Sequence, residues 1–216
     1  MSVRAALKAG GRTTYPGFLL VVAAITGSTG NIREETAAVG GSLVLTCPNK
    51  SEITFVTWKI KPKAGGHCIL GYRADWKQSK RTNCTENITW KSGPEHDPAL
   101  QIQPVQRASE GNYTCEMAAG AGNFHMTYHL TVLVPPKVAV YCDSRGNPVC
   151  QAAAGKPPAR ISWVPRSSSS PEHEDLGDGT ATVRSTFMGN GSDVKNATCL
   201  VSHPAMNHNQ SVACGS

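Results

Sequence analysis

Glu110-Gly111-Asn112-Tyr113-Thr114-Cys115 decides how the rest of the chain is read. A tyrosine two residues before a cysteine, just after an acidic-Gly turn, closes a loop by bonding its hydroxyl to nearby backbone. The cysteine then points into a β-sandwich core, toward a partner on the opposite sheet. That partner lies upstream. Gly40-Gly41-Ser42-Leu43-Val44-Leu45-Thr46-Cys47 is a turn followed by alternation that puts Leu43, Leu45 and Cys47 on one face of a half-buried strand. Trp58 follows eleven residues later, sharing a face with Val56 and Ile60, while Phe55, Thr57, Lys59 and Lys61 face away. Leu100 and Ile102 make another short alternating run. The 68 residues from Cys47 to Cys115 leave room for the extra central strands of a variable-type sandwich.

Downstream, Ala118-Ala119-Gly120-Ala121-Gly122-Asn123 reads as a hairpin tip of small residues, since no helix follows to make it a phosphate loop. Phe124, Met126, Tyr128, Leu130, Val132 and Val134 then alternate with His125, Thr127, His129 and Thr131 as a last strand. Val134-Pro135-Pro136-Lys137 marks a boundary, because two prolines cannot continue a ladder and they stiffen the junction. The same logic recurs beyond it in shorter form. Cys150, Trp163 and Cys199 repeat the pattern with a 49-residue gap, and Cys199-Leu200-Val201-Ser202-His203 carries the signature of a constant-type domain. The expectation is all-β: two tandem immunoglobulin-like sandwiches, variable-type over 31–134 and constant-type over 137–216, after a signal peptide over 1–30.

The leader has basic Arg4, Lys8 and Arg12, an apolar run over 18–25 and then small residues, with cleavage expected after Gly30. Eight apolar residues fall far short of the ~20 needed to cross a bilayer. There is no second apolar run, so the sequence reads as a secreted product or as an ectodomain written without its membrane segment. Formal charge is +6, but three of the basic residues lie in the leader, and the remainder is too mild to argue nucleic-acid binding. Asn-x-Ser/Thr triplets at Asn49, Asn83, Asn87, Asn112, Asn190, Asn196 and Asn209 point to the secretory route as glycosylation sites. Asn49, Asn87 and Asn112 are expected on loops or the back sheet.

Eight cysteines in an even count fit an oxidising compartment. Cys47–Cys115 and Cys150–Cys199 follow from the two sandwiches. Cys68 and Cys84 remain within the first module, where a third bridge is the simple reading. Cys142 and Cys214 flank the second module, and either a fourth bridge Cys142–Cys214 or an intermolecular Cys214 satisfies the sequence.

Enzymatic chemistry finds no support. A thiol oxidoreductase needs Cys-x-x-Cys, a serine hydrolase needs a Gly-x-Ser-x-Gly elbow, and both are missing. A zinc site on His203 and His208 would need thiols that the disulfides already use. No metal and no cofactor are expected.

Asn87-Ile88-Thr89-Trp90, Pro98-Ala99-Leu100-Gln101-Ile102-Gln103, Glu110 to Glu116, Gly122-Asn123-Phe124, Leu133-Val134-Pro135-Pro136, Ala154-Gly155-Lys156-Pro157, Ile161-Ser162-Trp163 and Val201-Ser202-His203 occur in order. Together, over residues 40–212, they resemble the ectodomain of the receptors for the OX-2 membrane glycoprotein, found on leukocytes. The resemblance implies binding of OX-2, an immunoglobulin-type ligand on a neighbouring cell, through the front sheet of the N-terminal domain, with restraint of myeloid activation. It also implies an extra cysteine pair in the second domain, around Ser167 to Ser170 and near Phe187, which this sequence lacks. The candidate contact residues are Lys59, Lys61, Glu116, Ala118, Phe124, His125, Thr127 and His129. Phe124 is an interface anchor if it faces solvent and a core residue if it follows its alternation mates. A monomer is expected of a receptor, and a self-associating chain of the alternative, a homophilic adhesion module.

Overall fold

The computed structural model describes residues 32–48, 50–189 and 196–215. The expected leader, Asn49 and Asn190 lie outside them. The first sandwich contains β1 (Ile32–Ala38), β2 (Leu43–Leu45), β3 (Ile53–Pro62), β4 (Cys68–Arg73), β5 (Gln78–Thr82), β6 (Ile88–Trp90), β7 (Leu100–Ile102), β8 (Gly111–Ala119) and β9 (Gly122–Leu133). The front sheet runs β1-β9-β8-β3-β4-β5, and β2-β7-β6 close over its inner side. The β4 and β5 strands are the additions that make a sandwich variable-type. One pairing escapes the sequence: β1 runs parallel to β9, matching Ile32 to Thr127 and Ala38 to Leu133.

Alternation in β3 and β8 builds the core. Val56, Trp58 and Ile60 from β3 meet Tyr113, Cys115 and Met117 from β8, all of them buried. The Trp58 indole donates to the Pro98 carbonyl at 2.9 Å, which satisfies the one polar group that its burial would otherwise strand. Tyr113 donates its hydroxyl to the Ser109 carbonyl at 2.5 Å, and burial pushes the phenol's pKa well above its ordinary value. Gly111 sits at φ +153°, where an added Cβ would lie 2.4 Å from the Lys61 carbonyl oxygen, so a side chain here would push β3 away.

The second sandwich contains β10 (Lys137–Cys142), β11 (Pro148–Gly155), β12 (Arg160–Val164), β13 (Glu172–Asp175), β14 (Ala181–Thr186), β15 (Asn196–His203) and β16 (Met206–Ala213). Its sheets are β10-β11-β14-β13 and β12-β15-β16, the constant-type division. Trp163 packs edge-on against Phe187 at 5.5 Å and donates to Ser185 Oγ at 3.0 Å. His203 is buried, and its Nδ1 accepts the Ala205 N–H at 3.0 Å, so it holds the β15–β16 turn.

Four disulfides join Cys47 to Cys115, Cys68 to Cys84, Cys142 to Cys214 and Cys150 to Cys199, with Cα separations of 4.7–6.2 Å. The third of these bridges two sheets at their edges, because β10 and β16 do not pair in one sheet. Around Ser167 to Ser170, hydrogen bonds stand where the resemblance implies a cysteine pair. Ser167 Oγ accepts the Met188 N–H at 3.0 Å, and Ser169 Oγ donates to the Thr186 carbonyl.

The two sandwiches meet at Val134, which exchanges two backbone hydrogen bonds of 2.9 Å with Lys156. Beside them the buried Glu110 carboxylate accepts from Lys156, from Lys63 at 3.2 Å and from the Val132 N–H at 3.2 Å. Burial pushes the Glu110 carboxyl up, but these donors outweigh it and hold the pKa below its ordinary value. Arg107 reaches across the same junction to Asp178 at 2.9 Å. The acidic residue of the deciding motif thus serves both its own loop and the second sandwich.

Candidate ligand-binding face

Residues of one parity on β3, β4, β8 and β9 are core, so the opposite parity forms a continuous solvent face. Register arranges it in rows across the sheet. The row nearest the junction holds His129, Asn112 and Lys61. Next come Thr127, Thr114, Lys59, Ile69 and Thr82, then His125, Glu116, Thr57, Gly71 and Lys80. The far row holds Asn123, Ala118, Phe55, Arg73 and Gln78. Six residues of extended strand put Asn112 about 20 Å from Ala118.

Seven of the eight residues singled out in the sequence lie on this face: Lys59, Lys61, Glu116, Ala118, His125, Thr127 and His129. Phe124 does not. It is half-buried against the core on the parity of Met126 and Tyr128, with the Lys50 ammonium 4.8 Å from its ring centre, so it turns away from this face. The hydrophobic effect decides between the two orientations that alternation left open.

Two glycosylation expectations also change. Asn112 is neither on a loop nor on the back sheet. It is an exposed residue of β8 in the front face, and its Oδ1 lies 2.7 Å from His129 Nδ1. Asn87 is buried, and its amide donates to the Pro104 carbonyl at 2.9 Å. The parity that turns Glu116 and Ala118 outward would have found Asn112.

The charges are mixed. Lys59 and Glu116 form an ion pair at 2.6 Å, while Lys61 has no ion-pair partner among the described residues. The apolar part of the face is what sequence reasoning missed as a site. Phe55, Ile69 and Trp76 are 42%, 42% and 65% exposed, large values for side chains of this kind. They border a concavity of about 840 Å³ over β3, β4 and β5, walled also by Thr57, Arg73 and Lys80. Arg73 stacks on Trp76 at 4.0 Å and pairs with Asp75 at 2.7 Å, which steadies the indole in its exposed place. Phe55 was legible as outward-facing. Ile69 and Trp76 fall between two cysteines in a stretch whose strands are visible only once β4 and β5 pair. The back sheet presents only Val44 as an exposed large apolar residue.

Fold and face together are those of an immunoglobulin-type module with an exposed, partly apolar front sheet. Residues 32–133 match the immunoglobulin V-set domain family. The chain is 49% identical over 216 residues to cell surface glycoprotein CD200 receptor 1-B of Gallus gallus, covering 100% of this chain and 88% of that one. It is 40% identical to the CD200 receptor 1 of Homo sapiens over 163 residues, or 74% of this chain and 47% of the human protein. The solved extracellular portion of mouse CD200RLa superimposes with a TM-score of 0.78 at 36% identity, covering 85% of this chain and 99% of that structure. The chain belongs to the CD200 receptor family, the receptors of the OX-2 glycoprotein that its motifs resemble. Its relatives are cell-surface glycoproteins. Among the described residues no helix is long and apolar enough to cross a membrane.

Proposed function

We propose that the chain binds CD200, the OX-2 membrane glycoprotein, or a related immunoglobulin-type ligand, through the front sheet of the N-terminal sandwich. Engagement restrains myeloid activation. The observation that carries the reading is the Phe55–Ile69–Trp76 patch. It joins exposed aromatic and aliphatic side chains to a shallow concavity rimmed by Arg73 and Lys80, the composition of an interface centre. Lys80 and Arg81 line the free β5 edge and would steer an acidic partner while discouraging edge-to-edge pairing. Carriage to the cell surface or into the medium, with occupied sequons outside the contact area, belongs to the same reading.

The test is surface plasmon resonance between this ectodomain and the CD200 ectodomain, with Phe55→Ala and Trp76→Ala alongside. Saturable binding lost in both variants supports the proposal. Binding that ignores both substitutions removes this face from it. Sedimentation of the ectodomain alone at micromolar concentration separates the adhesion alternative, which requires a dimer. Added to myeloid cells facing ligand-bearing cells, the soluble ectodomain should compete and release the restraint.

A further inference from the structure

The sequon Asn112-Tyr113-Thr114 threads through the front sheet rather than a loop, with Asn112 outward, Tyr113 in the core and Thr114 outward again. Asn112 stands in a row between Lys61 of β3 and His129 of β9. It also rims a second concavity of about 460 Å³ on the same face, bordered by Ile32, Lys59, Lys61 and Thr127. This is the end of the sheet next to the junction. Phe55 and Trp76 lie toward the other end, by the far row of Ala118 and Arg73, while Ile69, one row from Asn112, borders both concavities.

From this placement we infer that Asn112 carries an N-glycan that covers the junction end of the front sheet. The sugar shields Lys61 and His129 and confines protein contact to the Phe55–Trp76 end. The chemistry favours it. The acceptor amide is exposed, unlike that of Asn87, and nothing apolar borders Asn112 in its row. Its Oδ1 bond to His129 leaves Nδ2 free for the glycosidic linkage. A bulky hydrated group over one end of a flat face cannot be compressed against a partner, so it sets the footprint by exclusion. The shielding stands by itself, and the confinement of contact rests on the front-sheet reading above.

The experiment uses the ectodomain secreted from mammalian cells. Glycopeptide mass spectrometry measures occupancy at Asn112. Acetylation of Lys61 and carbethoxylation of His129 are timed in the wild type, in Asn112→Gln and in Thr114→Val, with Thr114→Ser retaining the sequon. Occupied Asn112, with several-fold faster modification of Lys61 and His129 in both sequon-lacking variants and unchanged reactivity of Lys80, is the expected result. A bare Asn112 in the wild type, or equal Lys61 reactivity throughout, overturns the shielding. Binding to immobilised CD200 ectodomain then tests the confinement. Glu34→Lys, at the exposed β1 position paired with His129, should leave the glycosylated protein's affinity unchanged. If it weakens that glycoform as Phe55→Ala does, contact extends under the sugar and the confinement fails. If no variant binds, the front-sheet reading fails while the shielding result stands.

Discussion

Lys59 and Glu116 neutralise each other across β3 and β8, Nζ lying 2.6 Å from Oε2 in the middle of the front face. Both are about half exposed, so the pair contributes only about 0.2–1 kcal/mol to stability. A double-mutant cycle with Lys59→Ala and Glu116→Ala should give a coupling inside that range, vanishing in molar salt. Lys59→Glu would set two carboxylates together and slow association with an acidic partner, leaving dissociation nearly unchanged. A larger change in dissociation would mean that the pair is buried in the complex.

Trp76→Ala and Phe55→Ala should each cost about 2 kcal/mol of binding or more, roughly thirtyfold in affinity. Both side chains are exposed in the free protein, so melting temperatures should stay near the wild-type value. Titration calorimetry beside thermal unfolding checks both halves of this expectation. A fall in melting point comparable to the loss of binding would reassign the patch to folding.

Glu110 makes the junction pH-sensitive, and the sign follows from its lowered pKa. A carboxyl held below its unfolded value adds stability that is present above about pH 4.3 and disappears as pH falls through the folded value. Wild-type stability should therefore decline in acid more steeply than that of Glu110→Gln. Lys156→Met removes the donor from the second sandwich and should cost about 1.5–3 kcal/mol in denaturant unfolding at neutral pH. Identical acid profiles for Glu110→Gln and wild type would sink the assignment.

The Cys68–Cys84 bridge closes a 16-residue span and pins β5, the outermost strand of the binding face. Replacing both cysteines by alanine should cost about 3 kcal/mol and speed amide exchange across Gln78–Thr82. Ligand affinity should fall with it, because Lys80 and the groove wall lose their support. Unchanged exchange in β5 would show that its pairing with β4 suffices.

Glycosite mapping should leave Asn87 bare in the secreted protein. The residue is 8% exposed, with the amide donating to the Pro104 carbonyl and the carbonyl oxygen accepting from the Thr85 hydroxyl at 2.6 Å. Substantial occupancy there would require the β6–β7 region to pack differently.

Alternation and cysteine spacing made the sandwiches legible because burial works on fixed periods. Tyr113, Cys115, Trp58 and Cys47 must face inward together, and their parity carries Lys59 and Glu116 outward. The parallel β1–β9 pairing was not legible, since short polar stretches carry little register information. Phe124 is a related case: a residue next to a turn can follow either side of the chain, and in the folded sheet it packs inward against the core cluster with Met117 and Met126.

By itself, the sequence determined the two tryptophan–disulfide cores and the parity of β3 and β8, since each depends on neighbours close along the chain or on an unambiguous apolar pattern. Only the tertiary structure decided which outward residues stand side by side. Asn112 came to share a row with Lys61, Ile69 joined Phe55 and Trp76 in one concavity, and Glu110 met Lys156 of the other sandwich. Those neighbours are set by sheet order and register, which the whole core chooses at once and no local stretch encodes.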